Sequence, residues 1–162
     1  MEKIKWIEEY LEEALKLAWM EGHEAALNLL ERLLYEEPGY GRLHYTLGVI
    51  YYDYAEDNQQ AEKHFRLAIQ FSPWYANSYW YLGTLLYRDD RLKDAIKVMD
   101  DGLRAKHADK SLLLTNIAKA YELNQQFGKA ISTYKKALGH SAELWNCRVI
   151  EESIKRCKRK RK

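Results

Sequence analysis

His44-Tyr45-Thr46-Leu47-Gly48-Val49-Ile50-Tyr51, then Ala61-Glu62-Lys63-His64-Phe65-Arg66-Leu67-Ala68, then Ser72-Pro73, is the stretch on which the fold is decided. Both runs carry apolar residues at spacings of three and four, the signature of amphipathic helices. Ala55-Glu56-Asp57-Asn58 between them reads as a turn, and Pro73 stops the second helix. Small residues at Gly48 and Ala61 let the two helices of such a hairpin touch closely. Phe65 fills the space left between them, and Ala68 leaves room for a following hairpin.

The same arrangement recurs every 34 or 35 residues outward from this stretch. Ala14, Gly48, Gly83 and Ala118 form one series, and Ala26, Ala61, Ala95 and Ala130 a second. Leu30, Phe65, Met99 and Tyr134 form a third. A repeat of this period means stacked helical hairpins, each too small to bury its apolar face alone. The spacing predicts helices over 3–20, 24–35, 41–54, 58–71, 75–88, 92–105, 111–124 and 127–139, with a ninth from Ser141 as N-cap. Helix one presents Ile4, Ile7, Leu11, Ala14, Leu15 and Ala18. On the ninth helix Leu144, Cys147, Ile150, Ile154 and Cys157 form an apolar stripe, opposite Glu143, Arg148, Glu152 and Lys155. That pattern suits a cap on the open end of a repeat array. No Ser/Gly/Pro-rich linker interrupts the series, so residues 1–154 read as one domain, with 155–162 continuing the cap helix as a basic tail.

The repeat resembles the tetratricopeptide repeat, whose signature is W-x2-L-G-x2-Y, then A-x3-F-x2-A, then P. His44-x2-Leu47-Gly48-x2-Tyr51 and Ala61-x3-Phe65-x2-Ala68 carry the resemblance in the second unit. Tyr79-x2-Leu82-Gly83-x2-Leu86 and Ala95-x3-Met99-x2-Gly102 carry it in the third. Leu114-x2-Ile117-Ala118-x2-Tyr121 and Ala130-x3-Tyr134-x2-Ala137 carry it in the fourth. The first is degenerate, with Tyr10-x2-Glu13-Ala14-x2-Leu17, Ala26-x3-Leu30-x2-Leu33 and Pro38. The resemblance covers about residues 7–144. It implies an all-α, right-handed superhelical solenoid of antiparallel hairpins and a role in binding proteins.

Composition supports that class. The chain has 162 residues, 47% hydrophobic and 31% charged, with two prolines. No stretch approaches the run of roughly 18 apolar residues that a membrane span needs. The first residues lack the apolar core of a secretory signal. Cys147 and Cys157 stand ten apart on one helix, about 15 Å, too far to pair with each other. A reducing, cytoplasmic setting fits. Catalytic constellations are missing: no glycine-rich phosphate loop, no H-E-x-x-H, no C-x-x-C. His23, His44, His64, His107 and His140 are scattered over turns and different helix faces and read as packing or surface residues. The expectation is a non-enzyme without cofactor or metal.

By the resemblance, the first helix of each hairpin lines a concave groove. The second hairpin would present Arg42, Tyr45, Val49, Tyr52 and Asp53; the third, Asn77, Trp80, Thr84, Tyr87 and Arg88. The fourth would present Leu112, Thr115, Lys119, Glu122 and Leu123; the first, Glu8, Leu11, Leu15, Ala18 and Trp19. Trp, Tyr and Arg are the residues most often found as interface hot spots. The expected function is a scaffold binding a protein or peptide segment in this aromatic groove. The Lys/Asn/Asn/Lys/Arg clamp by which some relatives of the family hold a C-terminal carboxylate is not matched in either register. One alternative is a chaperone for a secreted or membrane-inserting client.

Net charge is +2, but Lys155, Arg156, Lys158, Arg159, Lys160, Arg161 and Lys162 place seven cations in the last eight positions. Without them 19 Lys and Arg face 24 Asp and Glu, so the body is acidic. The reading taken is a solubilising helix end whose cations suit a helix C-terminus. Contacts to nucleic-acid phosphates, and so a nucleic-acid-associated accessory protein, are a second alternative. An anionic membrane surface or an acidic protein is a third.

Overall fold

A computed structural model describes residues 2–161, with side chains from Trp6 onward. The Ile4 side chain and Lys162, both named above, lie outside the described residues. All regular structure among the described residues is α-helical, and the helices pack as two compact units, Met1–Pro73 and Trp74–Lys162.

The first unit holds α1 (Glu2–Met20), α2 (His23–Glu36), α3 (Gly41–Asp53) and α4 (Asn58–Phe71). α1 packs on α2, α2 on α3 and α3 on α4. The repeat signature explains these contacts. A Cβ built on Gly48 would lie 2.6 Å from the Phe65 ring, so glycine is what allows α3 and α4 to close on that ring. Ala14, Ala26 and Leu30 are fully buried in the core of the first hairpin, joined by Ile7, Leu11, Leu43, Leu47 and Ile50. The degenerate first repeat therefore packs by the same rule as the others. Asp57 caps α4, its carboxylate accepting from the amides of Gln59 and Gln60 at 3.1 and 3.0 Å.

The second unit holds α5 (Ala76–Arg88), α6 (Leu92–Gly102), α7 (Lys110–Leu123), α8 (Phe127–Leu138) and α9 (Leu144–Lys160). Each packs on the next, and α5 also touches α7. Gly83 faces Met99 as Gly48 faces Phe65, with an added Cβ 2.5 Å from the Met99 side chain. α5 and α7 both end in a left-handed residue, Asp90 (φ 58°) and Gln125 (φ 55°). The amides that follow, Arg91 and Gln126, return to the carbonyls of Leu86 and Tyr121 at 2.9 and 2.8 Å. This is the Schellman closure of a helix end, here without the usual glycine.

Three sequence expectations need correction. α6 stops at Gly102 rather than 105, and Leu103, Arg104 and Ala105 continue in tight turns bonded to the third carbonyl back. Ser141 does not cap the ninth helix: its amide bonds to Leu138 at 3.2 Å in the turn after α8, and α9 begins at Leu144 after Glu143. Leu144 is 80% exposed rather than part of the buried stripe. At 100° per residue it points about 120° away from Ile150, which is buried. The stripe that is covered comprises Ile150, Ser153, Ile154 and Cys157, with Cys147 half-buried. Both cysteines are free thiols, and burial pushes Cys157 up to about 11, which makes it inert at neutral pH.

Candidate functional site

In the second unit, α5 carries Trp80, Thr84, Tyr87 and Arg88 at offsets of four, seven and eight, so they share one face. Arg88 and Asn77 are exposed, while Tyr87 is half-buried. The Trp80 ring packs against the cluster of Met99, Leu113 and Ile117 and meets Tyr81 edge-on at 4.8 Å. Trp80 is thus a partly buried packing residue as well as a face residue. Its indole nitrogen and the Thr84 hydroxyl are buried without a hydrogen-bond partner among the described residues. α7 contributes Thr115, half-buried, and Lys119, exposed.

Tyr87 and Lys119 meet Leu123, Gln125, Phe127, Arg156 and Lys160 around a cleft of about 580 Å³, with Glu122 in its wall. Two groups that the sequence kept apart, residues of the expected groove and of the basic tail, therefore line one cleft. Arg156 reaches Glu122 with two parallel hydrogen bonds, Nε to Oε1 at 2.7 Å and Nη2 to Oε2 at 2.8 Å. Lys160 donates to the same carboxylate at 3.3 Å, and so does the Tyr134 hydroxyl. Glu122 is 10% exposed. Its carboxyl is held down to about 2, chiefly by the Arg156 hydrogen bonds, with Cys157 and Lys160 assisting against burial. The Arg156 guanidinium is pushed up by the same contact, and burial foremost pushes the Tyr134 phenol up. Glu122 thus ties α7, α8 and α9 together and stays ionised across the physiological range.

The other tail residues face elsewhere. Lys155 pairs with Glu152 at 2.7 Å on the outer side of α9. Lys158, Arg159 and Arg161 are exposed, and Lys158 and Arg161 line a shallow depression with Ile131 and Lys135.

In the first unit, Arg42 pairs with Glu8, which also accepts from the Tyr40 hydroxyl. Tyr45 and Tyr52 are half-buried with ring centroids 6.4 and 6.5 Å from Phe65. Val49, expected on the open face, is only 7% exposed. Leu11 and Ala18 are likewise buried in the first hairpin's core, because a stripe three or four residues wide is needed to cover α2 and α3. Trp19, by contrast, is 80% exposed.

Two pairings went unseen in the sequence. Glu122 and Arg156 lie 34 positions apart, with no local pattern to link them. His44 and His64 stand 20 positions apart on different helices, yet the hairpin stacks their rings with centroids 5.3 Å apart and brings their Nδ1 atoms to 3.1 Å. Their places in the repeat were the available signal, since His44 opens the signature and His64 precedes Phe65. His44 Nε2 lies 2.8 Å from the Pro38 carbonyl and so donates to it. That leaves His44 Nδ1 as acceptor and His64 Nδ1–H as donor, with both rings neutral. Burial lowers both, His64 to about 4. Among the described residues no group of three or more His, Cys, Asp or Glu is placed to hold a metal ion, and no helix is long and apolar enough to cross a membrane.

No family model matches the chain, and no curated protein matches it in sequence. Solved structures do match. PilF of Pseudomonas aeruginosa superimposes with a TM-score of 0.78 at 14% identity, over 97% of this chain and 78% of that one. MamA from Desulfovibrio magneticus RS-1 gives 0.71 at 19% identity, over 94% of this chain and 89% of that one. Yeast Tom70 gives 0.81 at 15% identity, over 94% of this chain but 33% of that one. All three are tetratricopeptide-repeat proteins. The fold is the tetratricopeptide repeat. In its terms α1–α2, α3–α4, α5–α6 and α7–α8 are four repeats, and α9 covers the last. At these identities the likeness fixes the fold, and the side chains of the cleft are this chain's own.

Proposed function

We propose that this tetratricopeptide-repeat chain is a non-catalytic protein-interaction module whose binding face in the second unit is the α5–α7–α9 cleft. One observation carries the reading. Tyr87, Leu123 and Phe127 supply ring and aliphatic surface beside the donors of Lys119, Arg156 and Lys160 in a single opening. A segment laid there buries apolar side chains while its carbonyls or carboxylates meet the donors. In the first unit Arg42, Tyr45 and Tyr52 form the corresponding face of α3, with Val49 beneath it as support.

Selection of a random dodecapeptide phage library on the full chain tests this. Enriched peptides should lose affinity by about 2 kcal/mol, the hot-spot scale, on Tyr87→Ala. Tyr87 is a cleaner probe than Trp80, whose removal also opens the cluster of Met99, Leu113 and Ile117. Unchanged affinity in Tyr87→Ala would move the site off this cleft.

A second reading has its own observation. Trp19 and Met20 are largely exposed side by side at the end of α1. Large exposed apolar side chains mark a surface for an apolar partner, as a chaperone of a membrane-inserting client requires. Suppression of a client's aggregation that is lost in Trp19→Ser and Met20→Ser would favour it.

A further inference from the structure

The charge of the α5–α7–α9 cleft narrows what fits it. Its wall holds three cations, Lys119, Arg156 and Lys160, and one carboxylate, Glu122. Glu122 is consumed internally by the two-point contact with Arg156. Lys160 keeps only a longer, single contact to it, and its side chain is half exposed. Lys119 has no ion-pair partner among the described residues and stands exposed on α7. The cleft therefore presents two cations without a full counter-charge, beside the apolar surface of Tyr87, Leu123 and Phe127. Without these four residues 23 Lys and Arg face 23 Asp and Glu, so the chain's formal net charge of +2 equals the excess gathered in the cleft.

We propose that the cleft takes an acidic protein segment, with carboxylates at Lys119 and Lys160 and a neighbouring aromatic or aliphatic side chain against Tyr87, Leu123 and Phe127. Arg156 acts as a positioning residue. Its pairing with Glu122 holds α9 against α7 and sets Lys160 at the rim. α9 is in this sense half of the site and not only a cover for the last repeat. A segment with like charge meets Lys119 and Lys160 unscreened, so the same residues that attract acidic partners exclude basic ones.

The inference rests on the protein-binding reading above, and one experiment separates the two. Dodecapeptides are selected from the random phage library on the full-length chain and on Lys119→Glu, with binding of the enriched peptides measured at low and near-physiological salt. Enrichment of Asp/Glu-rich peptides bearing Phe, Tyr or Leu, weakened about tenfold by Lys119→Glu, restored by Lys119→Arg and falling with salt, is the expected result. Enrichment of neutral or basic peptides that Tyr87→Ala weakens would overturn the acidic assignment and leave the binding face standing. Acidic peptides bound equally by wild type and Lys119→Glu would overturn it too. Absence of any enriched peptide would count against both readings. Lys119 is exposed and outside the ion cluster, so the variant keeps the fold, which a thermal melt verifies.

Discussion

Thr84 and the His44–His64 pair show how single polar groups set local stability. The Thr84 hydroxyl is buried without a partner among the described residues, a loss of about 1–3 kcal/mol against a satisfied group. Thr84→Val keeps the shape and removes the orphan, so the midpoint of thermal unfolding should rise; a fall would mean that the hydroxyl is bonded. His64 titrates in the folded state at about 4 against 6.5 when free. The unfolded chain therefore binds the extra proton first, and stability is full above about pH 6.5 and declines as pH falls toward 4. Around the pair stand Lys63, whose cation adds to the depression, and the stacked rings of Phe71 on His44 and Tyr51 on His64. Glu31 and Asp57 act on the Tyr51 phenol behind it. Denaturant titrations between pH 7.5 and 4 should show this slope in wild type and a flatter one in His64→Gln, which keeps an N–H for His44. Equal slopes would remove the pair as the cause. Glu122 has the opposite chemistry and a different window. Its depressed carboxyl contributes stability above about 4.5 that is lost as pH falls toward 2. Glu122→Gln at neutral pH should cost about 2 kcal/mol, the scale of a charge-assisted hydrogen bond, discounted because the Arg156 side chain is 43% exposed.

At the scale of the helix, α9 changes the meaning of the basic tail. The helix runs to Lys160, and Arg156 and Cys157 are part of its inner face. Truncation before Lys155 should therefore lower the melting temperature, whereas Lys158→Gln, Arg159→Gln and Arg161→Gln together should leave it within a few degrees. If the truncation melts like wild type, the tail is not structural. Most helices could be read from the chain because each boundary has a local cause. Pro73 ends α4, Asp57 starts it, and Gly48, Gly83 and the alanines mark each crossing. The start of α9 could not: the Ser141 hydroxyl has no hydrogen-bond partner among the described residues, and the helix begins three residues later, after Glu143. Val49, Leu11 and Ala18 fall on the open face by the repeat phase that the resemblance implies. The width of the buried stripe depends on the neighbouring helix, which phase does not contain.

For the molecule as a whole, periodicity made the tetratricopeptide architecture legible, since a 34-residue pattern is written in every hairpin. The candidate cleft was legible only in part. Tyr87 and Lys119 follow from the repeat, but their meeting with Arg156 and Lys160 is a contact across more than thirty residues, carried by α9 folding back on α8. Such contacts have no signature in one sequence. The α5–α7–α9 cleft is proposed as the place where a protein segment binds. Amide chemical-shift mapping of a library-selected peptide on the full chain, labelled with nitrogen-15, addresses that claim most directly. Shifts concentrated at Thr84–Arg88, Thr115–Leu123 and Arg156–Lys160 are the expected result. Shifts concentrated on the outer faces, at Gln59–Gln70 of α4 or Ile131–Lys136 of α8, with the cleft unmoved, would contradict it.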